Sequence, residues 1–588
     1  MSKPAEWSVE VSKQLYGLEH SIRGEYLTID ETGALVLKIG DESVRIIDLM
    51  KKYGFETAYI RFLPAIKSTM KKVFETFKTL SQIHGYTGKF QPVFPMKVNP
   101  IPLVIDAIWR YGEEFNWGFN SGSIGELRLL HRYLDKGSRL LIYDGVVSDN
   151  VLKLLMDFKK AGWHVIVDVE SEHDLQVLSK YGEINVGIRV KPFYKPGGKW
   201  SHSAGLEGKF GLTINTLLKL IKEYKWLNER AILIHIHGGS QIYELKHIAA
   251  IFDEARILFN DLRSIGFENI SIIDTGGGMA YPYHDSRKGT PESPNYTIVD
   301  YLNLLIRKFN DVHPHPTLVF EGGRYIVASH RIVVAKVVDV RPYSTEYKPF
   351  ETGNGERLIG IPESLEGIKK ILQYTRDIQS KIKGKTLTLA ERERVEDIIT
   401  HYREEIIVKL AEIIRSNPSS VENIINDPLL YKILTSPSRR FIVNLSLFAD
   451  IPDSVLVNQY FQVTPIQKLN EKPDVLAVLG DLTCDSMGEL REFISDVEIE
   501  TSVDSWFNRM DFRISHLPKK YLKLGGIPLH LPGKDEDYYL AFLDTGAYQD
   551  PLAMKHNLIY GAPEIVIDIN GSGKPVIKVL KHGRKSYL

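Results

Sequence analysis

Eight short apolar runs between residues 93 and 320 are the feature that most limits how this chain can fold. Amphipathic stretches with helical spacing, such as residues 150–161 and 248–265, separate the runs. Strands that alternate with helices at intervals of roughly 30 residues are typical of βαβ units and a parallel sheet. Eight such units predict a closed (β/α)8 barrel, and an open doubly wound sheet is the alternative. The runs are residues 93–98, 114–119, 139–143, 164–169, 185–190, 231–237, 270–273 and 317–320.

The sequence on either side of these runs predicts further domains, as a length of 588 residues requires. We expect residues 1–64 to form part of a β-rich domain, residues 65–340 the barrel, and residues 341–365 a β segment or linker. Charged amphipathic stripes predict a helical insertion at residues 366–440. Apolar runs then predict the rest of the β-rich domain at residues 441–588. The expected fold class is therefore α/β, with a β-rich domain built from both chain ends.

The charge balance excludes two classes of partner. Lys plus Arg and Asp plus Glu both total 74, so no excess positive charge is available to bind nucleic acid or an anionic membrane. No apolar run approaches the ~20 residues that span a bilayer. The first residues lack the apolar core of a signal peptide, and the single cysteine, Cys484, fits a reducing compartment. We therefore expect a cytoplasmic protein.

Polar residues end nearly every predicted strand of the barrel. Barrel enzymes carry their active sites at the carboxyl ends of the strands, so this ring of residues predicts a site there. Lys97 is the most informative, because it ends an apolar stretch where burial would help it lose its proton and act as a nucleophile. A solvated surface lysine is the alternative. In chain order the ring is Lys97, Asn120, Asp144, Asp168 with Glu170, Arg189, His235 with His237, Asp274 and Glu321.

Two glycine-rich turns follow the seventh and eighth strands, where barrels often bind phosphate. The first, residues 274–278, contains three successive glycines whose N–H groups can converge on a phosphate. The second, residues 321–324, places Glu321 and Arg324 three residues apart. A carboxylate suits a protonated ring nitrogen, and a guanidinium suits a phosphate. A flexible turn and a surface ion pair are the alternatives.

His235 and His237 alternate on the sixth strand, so both side chains point to one face. They suit either a metal ion or a flat ring packed against an imidazole, and no third ligand with metal-like spacing accompanies them. A lysine, a carboxylate for a ring nitrogen, a phosphate-binding turn and a histidine together describe a pyridoxal phosphate site.

These residues lie in motifs that resemble those of the biosynthetic arginine decarboxylases. That family consists of pyridoxal phosphate enzymes with an alanine-racemase-like barrel and a β domain. The resemblance runs over nearly the whole chain and includes the helical insertion. Its motifs are residues 94–99, 118–123, 126–127, 198–201, 209–212, 235–241, 274–278, 321–324, 444–448, 452–454, 483–486, 546–549 and 556–558.

The resemblance implies a role for each site residue. Lys97 carries the Schiff base, His237 stacks on the cofactor ring and Glu321 pairs with the ring nitrogen. Cys484, as proton donor, and Asp485, as anchor for a guanidinium, enter the site from the partner subunit. A homodimer or a dimer of dimers is therefore implied. The implied catalytic residues are Lys97, His237 and Cys484, and the residues implied to hold the phosphate are Ser240, Gly277, Gly278, Arg324 and Tyr548.

The implied reaction converts L-arginine to agmatine and CO2, the first step of a route to the polyamines putrescine and spermidine. Family members are also commonly associated with Mg2+, for which the sequence shows no dedicated ligand set. Asn120 belongs to the implied cofactor site, although relatives often carry Asp or Glu there, and we expect it to hydrogen-bond to a neighbour such as His237. Met487 and residues 191–196 also depart from the family pattern, which bears on the choice of substrate.

Three alternatives to arginine decarboxylation remain at this point. The first is decarboxylation of ornithine, lysine or diaminopimelate, although diaminopimelate enzymes usually carry Glu where this chain has Asp485. The second is a catalytically silent relative that only binds a partner. The third is an aldolase-type barrel that uses Lys97 without a cofactor, which would leave the phosphate turn and Glu321 without a purpose.

Overall fold

The structure is a computed structural model that describes residues 7–195, 205–285, 288–343, 360–417, 419–434, 436–495 and 522–580. The expected motif at residues 198–201 lies outside the described residues. None of the helices in the described ranges is both long and apolar enough to cross a membrane.

The N-terminal segment forms a small antiparallel sheet before it enters the main sheet. Asp30 closes the first turn, because its Oδ1 accepts hydrogen bonds from Thr32 N (2.9 Å) and Ala34 N (3.0 Å). A strand lies on each side of this turn, and two short helices accompany the sheet. The elements are α1 (Val9–Leu15), β1 (Leu27–Ile29), β2 (Leu35–Ile39), β3 (Glu42–Arg45), α2 (Ile46–Tyr53), β4 (Thr57–Phe62) and α3 (Pro64–His84).

Eight parallel strands close into a barrel, as predicted, and they follow one another around it in chain order. The first strand ends at Pro95, so Lys97 lies in the following 3-10 turn, Met96–Val98. Asn120 and Asp274 lie within the last residues of their strands and not after them. The strands are β5 (Phe90–Pro95), β6 (Gly118–Ser121), β7 (Leu140–Tyr143), β8 (His164–Val169), β9 (Asn185–Val190), β10 (Ala231–Ile236), β11 (Ile272–Asp274) and β12 (Thr317–Phe320).

Helices cover the outside of the barrel, and side-chain caps start several of them. Ser123, Ser148 and Ser171 each accept a hydrogen bond from a backbone N–H in the first turn of the helix that follows. Such caps satisfy N–H groups that have no partner within the helix. These helices are α4 (Pro102–Gly112), α5 (Ile124–Leu130), α6 (Asp149–Lys160), α7 (Glu172–Leu178), α8 (Ile214–Glu223), α9 (Leu227–Arg230), α10 (Leu245–Ser264), α11 (Ile298–Phe309) and α12 (Gly323–Val327).

The chain leaves the barrel earlier than the expected boundary at residue 340. Strand β13 (Arg331–Pro342) pairs along its length with β4 and with strands from the C-terminal segment. A helical insertion follows, with the helices α13 (Leu365–Ile382), α14 (Leu389–Ser416), α15 (Ser420–Asn426) and α16 (Pro428–Leu434). The β-rich domain then resumes at Arg439.

The C-terminal segment completes the β-rich domain, so both chain ends contribute to one ten-stranded sheet, as predicted. Strand β22 runs parallel to β4, which joins residues about 500 positions apart. The elements are β14 (Arg439–Val443), α17 (Leu447–Asp450), α18 (Asp453–Leu456), β15 (Val463–Pro465), β16 (Val475–Gly480), β17 (Glu489–Leu490), β18 (Phe493–Ser495), β19 (Leu522–Leu524), β20 (Ile527–Leu529), β21 (Tyr539–Phe542), β22 (Glu564–Ile569) and β23 (Pro575–Leu580).

Candidate active site

Lys97 lies at the carboxyl end of the barrel, where its side chain is 44% exposed and its Nζ is 3.8 Å from Asp144 Oδ2. Burial lowers the pKa of Lys97, but the carboxylates of Asp144 and Glu321 outweigh it and leave the pKa raised. The expectation that burial would help this lysine lose its proton is therefore wrong for the protein alone. Asp144, which follows β7, and Glu321, which follows β12, bring acidic groups to the amine and stabilise its charged form.

Asp144 is the centre of a charged network beneath Lys97. Arg189 Nη1 lies 3.2 Å from Asp144 Oδ2 and 2.6 Å from Glu170 Oε1, and the Arg189 side chain is only 4% exposed. Burial raises the pKa of Asp144, but Lys97 and Arg189 outweigh it, so that the pKa is lowered and the carboxylate stays ionised. Asn120 is buried on the neighbouring strand and also lowers the pKa of Asp144. The expected hydrogen bond from Asn120 to His237 is not present among the described residues.

Glu321 follows β12 and is almost completely buried. Burial raises its pKa to about 7, although the charge of Lys97 opposes the shift. Its Oε1 atom makes no hydrogen bond to any described residue. A buried carboxylate oxygen without a partner is costly in a folded protein unless a ligand or water satisfies it. A protonated ring nitrogen is a partner of the required charge and hydrogen-bonding character.

His237 is held in one orientation by the glycine turn after β11. Gly277 N donates to His237 Nδ1 at 3.1 Å, which leaves the other ring nitrogen to carry the proton. Burial, followed by the charge of Lys97, lowers the pKa of His237, so the imidazole is neutral. A Cβ atom at Gly276, which has φ +69°, would collide with the His237 ring. The glycine at this position therefore makes room for the imidazole.

His235, on strand β10, pairs with the carboxylate of Asp168. Its Nδ1 lies 2.6 Å from Asp168 Oδ2, and both side chains are at most 1% exposed. Potential ligand atoms of His235, His237 and Glu321 all lie within 4.8 Å of one another. The structure thus supplies the third metal-type ligand that sequence spacing did not reveal. His237 and Glu321 are also the residues expected to contact a flat cofactor ring, so a metal ion and such a ring would compete for the same space.

Arg324 carries a positive charge on the side of the site where phosphate binding is expected. Its Nη1 donates to Tyr283 Oη at 2.8 Å, and its Nε donates to Ser240 Oγ at 3.3 Å. Its guanidinium packs against the ring of Tyr548 at 4.6 Å from the centroid. Tyr548 has φ +66°, a left-handed conformation that is uncommon outside glycine, and its N–H donates to Val98 O at 2.7 Å.

The glycines at residues 277 and 278 complete this side. Gly278 has φ +109°, and a Cβ atom there would approach Gly239 O to 3.1 Å. The turn thus lies close to Gly239 O and Glu321 O, where glycines leave the main chain without side-chain obstruction. The structure brings Arg324 into contact with Ser240 and Tyr548. The phosphate-binding role of all five expected residues stays a prediction.

Cys484 and Asp485 lie on the β-rich domain. The Cys484 thiol is exposed and lies 3.5 Å from Asn557 Nδ2, and Asp485 Oδ1 accepts from Met487 N at 2.8 Å. Within the described ranges, no hydrogen bond or ion pair connects either residue to Lys97 or Glu321. The structure of one chain thus does not assemble them with the barrel residues.

Sequence reasoning missed two buried residues on the phosphate side, Tyr283 and Asp453. Asp453 Oδ2 lies 3.8 Å from Arg324 Nη1 and accepts from Gln549 Nε2 at 3.0 Å. Asp453 belongs to the motif at residues 452–454, which was a usable signal. Tyr283 lies in a loop whose sequence has no periodic pattern.

Comparisons with known proteins agree with this geometry. The model of the pyridoxal-dependent decarboxylase family, pyridoxal binding domain, matches residues 70–328. This part of the chain is therefore similar to the pyridoxal binding domain of that family. The biosynthetic arginine decarboxylase of Bacteroides thetaiotaomicron is 28% identical over 607 residues, which cover 98% of this chain and 90% of that protein. The biosynthetic arginine decarboxylase of Prochlorococcus marinus is 28% identical over 620 residues, which cover 99% of this chain and 90% of that protein.

The structural comparison extends the likeness to the whole decarboxylase fold. The crystal structure of the biosynthetic arginine decarboxylase SpeA from Campylobacter jejuni superposes with a TM-score of 0.72 at 25% identity. The match covers 96% of this chain and 89% of the Campylobacter chain. The barrel, the β-rich domain and the insertion are thus all within the range of the comparison.

Proposed function

We propose that this chain decarboxylates L-arginine to agmatine and CO2 with pyridoxal 5'-phosphate as cofactor, as a first step toward polyamines. The observation that carries the proposal is the buried Glu321, whose free Oε1 faces the same barrel mouth as Lys97. A catalytically inactive relative that only binds a partner would not need a buried carboxylate without a hydrogen bond next to Lys97. Nor would an aldolase-type barrel use the glycine turn and Arg324.

The residues present fit the cofactor. Lys97 would hold its aldehyde carbon, His237 would lie against its ring, and Glu321 would pair with the ring nitrogen. When bound, the protonated ring supplies an electron sink for the pair released as the carboxylate leaves Cα. Ser240, Gly278 and Arg324 would donate to the phosphate, with Tyr548 packed on the guanidinium. Gly277 would line the phosphate while its N–H stays bonded to His237 Nδ1.

Glu321 controls the protonation state of the cofactor ring nitrogen in this proposal. Its carboxylate would favour the protonated form of the ring nitrogen by direct charge pairing. That positive nitrogen would in turn offset the burial that raises the pKa of Glu321 to about 7. The neutral imidazole of His237 brings no charge that would oppose this pairing.

Cys484 would deliver the proton that replaces CO2. Its S–H bond breaks as the new C–H bond forms at the substrate Cα, and the thiolate regains a proton from water. Asp485 would anchor the distal guanidinium of arginine in bidentate geometry. Because one chain does not bring this pair to its own barrel mouth, the proposal includes a homodimer, alone or as a dimer of dimers, that shares its active sites.

A requirement for Mg2+ is proposed by resemblance only. Mg2+ prefers oxygen ligands in octahedral geometry. The close ligand set of His235, His237 and Glu321 contains two imidazoles and does not fit that preference. No step of the proposed reaction uses this ion.

The test is to supply arginine, ornithine, lysine and diaminopimelate separately to the cofactor-loaded protein and to identify the amine formed. We expect agmatine from arginine and at most traces of amine from the others. Putrescine or cadaverine as the sole product would reverse the substrate assignment. The absence of both an amine product and an absorbance band of a lysine-bound cofactor would contradict the reaction itself.

A further inference from the structure

Tyr283 connects the proposed phosphate side of the site to a part of the chain far from the barrel mouth. Its hydroxyl oxygen accepts the hydrogen bond from Arg324 Nη1 at 2.8 Å. The Tyr283 side chain is completely buried, and burial raises its pKa to about 12, so the hydroxyl is neutral. A buried neutral acceptor takes up one N–H of the guanidinium and fixes the plane of that group.

The ring of Tyr283 is itself held by aromatic neighbours. It meets Tyr281 at a centroid distance of 5.1 Å and Phe461 at 5.6 Å, both edge to face. Phe461 belongs to the β-rich domain, so the ring lies where that domain meets the barrel loop. Edge-to-face packing on two sides leaves the phenol little freedom to turn.

The N-terminal segment forms hydrogen bonds to the loop that contains Tyr283. Arg23 Nη2 donates to Tyr283 O at 3.1 Å, and the same guanidinium forms an ion pair with Asp544 in which both side chains are 1% exposed. His20 Nε2 donates to Pro282 O at 2.5 Å. Ser21 N donates to Asp285 Oδ2 at 2.7 Å. Three of these contacts therefore hold residues 282–285, which belong to no helix or strand.

We propose that Tyr283 is a positioning residue for the cofactor phosphate, and that it acts by orienting the guanidinium of Arg324. The inference rests on the proposed pyridoxal phosphate site. Arg324 also contacts Ser240, the Tyr548 ring and the Asp453 carboxylate. Tyr283 supplies the 2.8 Å hydrogen bond to Nη1, from a loop that the N-terminal segment holds in place. Loss of its hydroxyl leaves the guanidinium free to rotate away from the phosphate.

The experiment compares two ligands that differ only in the phosphate. Cofactor-free wild type and the Tyr283→Phe variant are titrated with pyridoxal 5'-phosphate and with pyridoxal, and binding is followed by absorbance. Tyr283→Phe keeps the ring and its packing but removes the acceptor. We expect affinity for pyridoxal 5'-phosphate to fall about tenfold, the usual effect of a lost hydrogen bond to a charged group. Affinity for pyridoxal should stay within about twofold of wild type.

Tyr281→Phe is the matched control, because it removes from the same loop a hydroxyl that interacts with Asp544. It should bind both ligands like wild type. A thermal unfolding curve for each variant checks that the loop change leaves the fold intact. Equal effects of Tyr281→Phe and Tyr283→Phe would overturn the inference, as would equal weakening of pyridoxal and pyridoxal 5'-phosphate binding.

A double-mutant cycle tests the route through Arg324. In an Arg324→Gln background, Tyr283→Phe should cause no further loss of pyridoxal 5'-phosphate affinity, because the interaction is already absent. The same tenfold loss in both backgrounds would contradict the proposed route. If wild type binds no pyridoxal 5'-phosphate, the proposed function fails first. If wild type binds it and Tyr283→Phe binds it equally well, only this inference fails.

Discussion

The barrel mouth and the helical insertion use charge in opposite ways. At the mouth, Asp144, Arg189 and Glu321 are buried together, and Glu321 retains an oxygen without a partner among the described residues. In the insertion, ion pairs such as Arg392–Glu396 (2.9 Å) lie on the surface, with side chains 71% and 45% exposed. The insertion encloses its own apolar core, which includes Tyr402 and Ile406.

This difference separates a region built for chemistry from a region built for stability. Burying like charges and leaving a polar atom without a hydrogen bond both destabilise a fold. The cluster at the barrel mouth therefore indicates a ligand that supplies the missing hydrogen bond and opposite charge. The insertion satisfies the ordinary rules of packing and surface charge. Substitutions at the mouth should therefore affect chemistry most, and substitutions in the insertion should affect stability most.

The largest expected effect is at Lys97. The Lys97→Ala variant should lose activity on the order of 10^4-fold or more, because the covalent anchor of the cofactor is gone. It should also lose the absorbance band of a lysine-bound cofactor. Steady-state kinetics and absorbance spectra measure both. The Lys78→Ala variant, at an exposed position, is the control. Turnover near the wild-type level in Lys97→Ala would contradict the assignment of the chemistry to the barrel mouth.

Cys484→Ala should come next, with turnover about 100-fold slower. Part of the substrate should be released as an aldehyde in place of agmatine, because protonation at Cα loses its donor. Product analysis by mass spectrometry separates the two compounds. The neighbouring Ser486→Ala variant should behave as wild type. Unchanged rate and product for Cys484→Ala would refute the thiol as proton donor.

Ile406→Ala tests the other side of the comparison. Ile406 is fully buried in the insertion, so its truncation should lower the free energy of unfolding of that element by about 3 kcal/mol. Cofactor affinity should stay at the wild-type value, since the insertion core shares no residue with the main core. Chemical denaturation and cofactor titration measure the two quantities. A large loss of cofactor affinity would mean that the two regions are coupled.

Glu321→Gln should have a smaller effect that depends on pH. In the folded, cofactor-free protein the pKa of Glu321 is about 7, above its ordinary value of 4.5. The folded state therefore binds the proton more tightly, and this contribution to stability is complete below pH 4.5 and is lost as the pH rises through 7. Relative to wild type, Glu321→Gln should gain on the order of 2 kcal/mol between pH 5 and pH 8.

Thermal unfolding of the cofactor-free proteins at both pH values measures this difference. Glu396→Gln, on the exposed face of the insertion, should show no pH-dependent difference from wild type. A flat difference between Glu321→Gln and wild type would indicate that the carboxylate is ionised at both pH values.

Much of this arrangement was predictable from sequence, because strand and helix periodicity locates the barrel and therefore its carboxyl end. That logic brought Lys97, His237 and Glu321 together before any coordinates. The raised pKa of Lys97 was not predictable, because it depends on Asp144 from a strand that is not adjacent. Tyr283 was missed because its contacts with Arg23 and Arg324 join distant segments through an irregular loop. The roles of Cys484 and Asp485 remain predictions, since one chain does not bring them to the barrel mouth.

The most direct test of the account is to reduce the cofactor-loaded protein with borohydride and to map the modified peptide by mass spectrometry. We expect one phosphopyridoxyl group per chain, attached to Lys97 in the turn after the first barrel strand. Attachment to another lysine, or no attachment to a protein that decarboxylates arginine, would contradict it.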